Sequence, residues 1–83
     1  MAHFAKINSN GLVETVIVVN NQNCGGGDFP SSESIGQAFI LSCGLEGEWK
    51  QCSYNGNFRG KYPIAGFDSY DSVNDVFVAL TQE

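Results

Sequence analysis

The sequence predicts a small α+β domain: an antiparallel sheet built from two β-hairpins and one further strand, with one short helix packed on it. Three observations lead there. Strong turn signals, Asn10-Gly11 and Asp71–Asp75, each stand between alternating or β-branched segments. One stretch, Ser31–Cys43, repeats its apolar residues at helical spacing, and Trp49 sits in an alternating segment of its own.

In residues 3–8 Ala5 and Ile7 fall on one side and Phe4 and Lys6 on the other, as in a short half-buried strand. Asn8-Ser9-Asn10-Gly11 supplies residues that tolerate positive φ, so Leu12–Val19 returns antiparallel and completes a hairpin over residues 3–19. Polar Glu14 and Thr15 give way to Val16-Ile17-Val18-Val19, which predicts a central strand whose second half is covered on both faces. Asn20–Phe29, with Gly25-Gly26-Gly27 at its middle, reads as a loop. A helix is expected over residues 32–43. Ser34 and Gln37 have capping-box spacing, Ile35, Ala38, Phe39 and Ser42 form one face, and Gly44 ends it. Because Gly36 weakens it, packing of Ile35 and Phe39 on the sheet must hold it. Glu48–Tyr54 resumes as a strand with Trp49 as a core anchor, and Asn55-Gly56-Asn57 opens an irregular excursion through Gly60 and Pro63. Phe67–Tyr70 and Val76–Leu80 form the second hairpin, over residues 67–80.

Eighty-three residues suffice for one domain, expected to span 1–83, and 42% hydrophobic against 16% charged residues places it among globular chains. The longest aliphatic run, Val16–Val19, is far short of the roughly 20 residues that cross a bilayer, and the start lacks the pattern of a secretory signal. Synthesis in a cytoplasm and no membrane partner are therefore expected. Three cysteines, Cys24, Cys43 and Cys52, are an odd number with no C-x-x-C pair, which favours buried or inert free thiols over a disulfide framework.

Catalysis needs a nucleophile beside a base, paired carboxylates or a metal. His3 is the single imidazole, and neither G-x-S-x-G nor H-E-x-x-H occurs, so a non-enzyme without cofactor or metal is expected. The triple glycine lacks the Gly-Lys-Ser/Thr of a phosphate loop and is followed by Asp28, while Asp68, Asp71 and Asp75 lack the spacing of a calcium loop. One segment, Tyr54–Tyr62, mixes aromatic residues with Arg59 and Lys61 in a way that suits stacking on single-stranded nucleic acid. Against it stand a net charge of −5 and a mismatch to the RNP1 pattern, so nucleic acid is not the expected partner.

Met1–Ile7, Val16–Asn21, Gly47–Gly60 (GEWKQCSYNGNFRG), Ile64–Phe67 and Tyr70–Phe77 together resemble a family of small, mostly uncharacterised virion-associated proteins of tailed bacteriophages, marine and cyanobacterial ones especially. The resemblance spans nearly the whole chain. It implies a non-catalytic accessory protein of the virion, a capsid decoration protein by preference, whose partners are other phage virion proteins. It supplies no catalytic residues. Loops on a rigid sheet are where contacts reside, which makes Gly25, Gly26, Gly27, Tyr54, Phe58, Arg59, Lys61 and Tyr62 the candidate contact residues. Two alternatives stay open: a tail- or fibre-associated protein that touches a receptor or glycan through Tyr54, Phe58 and Tyr62, and an intracellular module that binds nucleic acid or protein.

Overall fold

The computed structural model describes residues 2–79. They form, in chain order, β1 (Ala2–Ile7), β2 (Val13–Val19), α1 (Ser31–Ser42), β3 (Glu48–Cys52), β4 (Asp68–Asp71) and β5 (Val76–Ala79). The α+β class, the two hairpins and the single short helix are as predicted. The strands divide between two antiparallel sheets, one in the order β2-β1-β3 and one of β4 and β5 alone. Leu80, expected to close the last strand, lies outside the described residues. None of the described helices is long and apolar enough to cross a membrane.

Asn8 makes the first turn, its Oδ1 accepting the N–H groups of Asn10 (2.9 Å) and Leu12 (3.0 Å), while Gly11 takes φ +84°. Beyond it, the central strand is β1 and not β2. Phe4 and Ala5, neighbours in β1 whose side chains leave opposite faces, are both fully buried, whereas Val18 of β2 is 53% exposed. The four-residue apolar run of β2 is thus an edge strand, and the covering on both faces belongs to the shorter, less β-branched strand beside it.

The cause is a core on each face of the sheet. On one face Ala2, Phe4, Val19 and Trp49 pack with Cys24 and Ile40, with Ile17 and Phe39 against them. On the other, Ala5, Ile7, Val13 and Cys52 pack with Phe77, joined by Val16, Tyr62 and Tyr70. The helix covers the first face and the β4–β5 hairpin the second, so β1 is covered on both sides at its middle, with His3 and Lys6 half-buried. Trp49 is the buried anchor that alternation predicted, at 5% exposure.

The helix meets the sheet through a face rotated from the one expected: Phe39 packs against the core as predicted, but Ile35 does not. Ser32, Gly36 and Ile40 are buried, one turn apart each, while Ile35 is 46% exposed. Gly36 decides this rotation. A Cβ there would stand 2.3 Å from Phe4 Cζ and 3.0 Å from Cys24 Sγ, so only glycine lets the backbone approach the Phe4 ring. Nor is there a capping box: the helix starts at Ser31, with Ser31 Oγ donating to Asp28 O (2.9 Å), and Gln37 donates its amide to Trp49 O instead. Gly44, at φ +87°, ends the helix as predicted, with Gly44 N–H on Leu41 O (3.0 Å) and Leu45 N–H on Ile40 O (3.3 Å).

Candidate contact cleft

At the end of the sheet where β1 begins and β3 finishes, two loops far apart in sequence face each other across a cleft of about 430 Å³. One wall is Gly26-Gly27-Asp28-Phe29. The other runs from Tyr54 to Phe58, and Ser32, Gln51 and Cys52 lie between them with Ala2 and His3 alongside. Each wall has a local cause. Asn20 Oδ1 accepts Gln22 N–H (2.9 Å) to start a short 3-10 turn over Asn21–Cys24, and Gly25 at φ +82° turns the chain out of it. The Gly56 N–H donates to Ser53 O (3.0 Å) and closes the turn that follows β3. Phe29 and Phe58 join the two walls by stacking at 4.0 Å, nearly parallel.

The floor is polar and internally satisfied, with Ser32 Oγ donating to Gln51 Oε1 at 2.8 Å in a buried setting. His3 stacks on Tyr54 at 5.6 Å and meets the edge of Tyr62 at 5.5 Å, leaving Tyr54 67% exposed at the rim. Burial lowers the pKa of His3 and raises that of Tyr62, so both rings are uncharged at neutral pH. Burial likewise raises Cys24 and pushes Cys52 up to about 12, which leaves both as inert thiols, whereas Cys43 at the helix end is exposed. Among the described residues no cluster of three His, Cys, Asp or Glu side chains is arranged to hold a metal.

Of the eight candidate contact residues, Gly26, Gly27, Tyr54 and Phe58 line this cleft. Gly25 stands behind it, where a Cβ would meet Ile35 Cδ1 at 2.7 Å, and Tyr62 supports the rim through His3 and Tyr54. Arg59 and Lys61 do not line it, although the Arg59 guanidinium lies over the ring of the wall residue Phe29 at 5.0 Å. The Arg59 side chain, 6% exposed, grips both carboxylate oxygens of Glu33 on α1, donates to Gln51 O (3.0 Å) on β3 and to Asp75 Oδ1 (2.9 Å) at the tip of the second hairpin. Burial opposes its charge, but the hydrogen bonds to Glu33 and Asp75 outweigh it and raise its pKa. Lys61 Nζ pairs with the buried Asp68 at 3.0 Å, and Asp68 also accepts Ile64 N–H (2.6 Å). The two cations read as a binding rim are therefore internal ties, Arg59 joining α1, β3 and the second hairpin and Lys61 joining the loop before β4 to Asp68: their charge is spent on carboxylates of this chain. Sequence reasoning missed Ser32 and Gln51 as lining residues, because nothing local marks them before the loops are brought together.

Comparisons with protein-family models, with curated proteins and with solved structures give no match to this chain.

Proposed function

We propose that this chain is a non-catalytic accessory protein of a tailed-phage virion, a capsid decoration subunit that docks on larger virion proteins through the cleft between Gly26–Phe29 and Tyr54–Phe58. The observation that carries the reading is the convergence of these two loops on a scaffold whose own ion pairs lock it. A rigid concave site with an exposed tyrosine at its rim and hydrogen-bonding side chains inside matches the anatomy of protein contact sites. The family resemblance of Gly47–Gly60, which includes the whole second wall, supports the virion as its setting.

The test is quantitative mass spectrometry of gradient-purified, washed particles. A decoration subunit follows the capsid lattice and is retained in large copy number, while a tail component follows a ring of low order. Absence from washed particles refutes the virion assignment, and a count in the range of one ring moves the protein to the tail. That second reading, a tail- or fibre-associated receptor contact, is favoured by one observation: apart from Asp28 the cleft is lined by uncharged side chains, among them Asn21, Asn55 and Asn57, with much of the Tyr54 ring exposed beside its contacts with His3 and Tyr62. Binding of a neutral oligosaccharide on a glycan array, lost in Tyr54→Ala, would establish it.

A further inference from the structure

The two edges of the main sheet are treated differently. On the β3 side, backbone groups that face away from β1 are occupied by side chains: Trp49 O accepts from Gln37, Gln51 N–H donates to Glu33 (2.9 Å), and Gln51 O accepts from Arg59 (3.0 Å). This edge is closed as a natural protein closes an edge strand against unwanted pairing. The alternation it fixes can be followed across the sheet. Since Trp49 and Gln51 face outward, Lys50 and Cys52 bond to Ala5 and His3, and the next residues of β1 turn the other way, Phe4 toward Ile17 and Ala2 toward Val19. The backbone N–H and C=O of Val16 and Val18 are left on the outer side of β2. No hydrogen bond from the described residues reaches them, whereas the Val13 carbonyl, nearer the turn, accepts Gly66 N–H at 2.8 Å.

The open part of the edge is thus Thr15–Val19, five uncharged β-branched residues. We propose that it pairs antiparallel with the same segment of a second copy of this chain, about a two-fold axis at Ile17, to make one six-stranded sheet. The strand itself argues for this occupant. With the axis at Ile17, the residues whose backbone groups are free meet each other, Val16 opposite Val18 and Val18 opposite Val16, each pair exchanging two hydrogen bonds. The side-chain pairs are then Val16–Val18, Ile17–Ile17 and Thr15–Val19, all β-branched and favourable across strands. Charge is also accommodated, because Glu14 falls opposite Asn20 and stays beside Lys6 of its own copy at 3.7 Å. Moving the axis by one residue to Val16 sets the outward groups of Val18 against Glu14, next to the register shift of β2, and loses this match.

Analytical ultracentrifugation of the full chain tests the proposal, with Val16→Pro as the main variant. Its missing N–H is one that points away from β1, so the internal ladder is kept and the outer pairing is broken. The expected result is a concentration-dependent dimer for the parent and a monomer for V16P with an unchanged circular dichroism spectrum. A parent that stays monomeric up to about 1 mM, the weak end of specific association, overturns the proposal, as does a dimer that V16P leaves intact. Should V16P fail to fold, cysteine cross-linking in a Cys43→Ser background decides. Ile17→Cys is expected to form an intermolecular disulfide on mild oxidation, because the two copies of this residue stand directly opposite, and Val18→Cys is not. Equal cross-linking at the two positions, or none at either, refutes the register and with it the proposal.

Discussion

Replacing Arg59 by alanine should come close to unfolding the protein. The guanidinium is 6% exposed and its removal strands the Glu33 carboxylate, itself only 16% exposed, together with the Gln51 carbonyl. Removing one partner of a buried pair costs about 3–5 kcal/mol, because the other charge keeps its desolvation penalty without its counterion. The exposed end of the network contributes little: Asp75 is 54% exposed and can return to water. For a chain of 83 residues the whole stability is about 4–12 kcal/mol. At this size each kcal/mol moves the melting temperature by roughly 4–8 °C, so the expected drop is about 12–40 °C. Thermal melts of Arg59→Ala, Glu33→Ala and the double variant at pH 7 measure it, and urea melts give the free energies. The double variant should lose less than the sum of the singles, with a coupling of about 1–3 kcal/mol. Arg59→Lys should fall between, since an ammonium lacks the planar fork that grips Glu33. If Arg59→Ala melts within about 2 °C of the parent, the guanidinium is solvated in solution, and its role as an internal tie is refuted.

Gly36→Ala should destabilise by up to about 2 kcal/mol: alanine gains about 1 kcal/mol of helix propensity, but its methyl enters the space of the buried Phe4 ring, and overpacking costs about 1–3 kcal/mol. A rise in urea midpoint would show that the helix can shift away from β1. With a thiol reagent, one cysteine, Cys43, should react at once in the native protein and Cys24 and Cys52 only at the rate of unfolding; three fast thiols would contradict the two buried sites. Asp75 is held below its ordinary value of 3.8, by the Tyr70 hydroxyl first and then by Arg59. A carboxylate lowered by folding stabilises above the unfolded pKa, and its contribution is lost as pH falls through the lower folded value. Stability should therefore drop below about pH 4, and Asp75→Asn should lessen the drop in urea melts across pH 3–6; an unchanged pH profile would refute this role.

Much of the architecture is legible in the sequence where local chemistry decides it. Asn8 and Gly11 make their turn through bonds within four residues, Gly44 ends the helix through its own left-handed backbone, and Trp49 alternates with charged neighbours. What escapes is set by residues distant in sequence. Hydrophobicity alone makes β2 the better central strand, since Val16–Val19 outweighs Phe4-Ala5, but the hairpin that buries Ala5 begins more than sixty residues later. Gly36 reads as a weak point of the helix until Phe4 is found beneath it. Arg59 among aromatic residues reads as a rim charge because its partners, Glu33 and Asp75, are 26 and 16 residues away. The cleft was half legible: both wall segments stand out by composition, but their meeting, and the Ser32–Gln51 bond between them, depends on the fold.

The position of β1 between two layers also governs how the molecule opens. Its residues bond alternately to β2 and to β3, and each face lies under its own core, so detaching the helix leaves the hairpin side covered, and the reverse. The amides of β1 are then released to solvent only when both layers leave, which makes them the slowest to exchange with deuterium. The β4–β5 pair is too small to persist alone, and its exchange should follow the integrity of the Arg59 tie. Two thin layers that would each be marginal are made to melt as one by the strand they share.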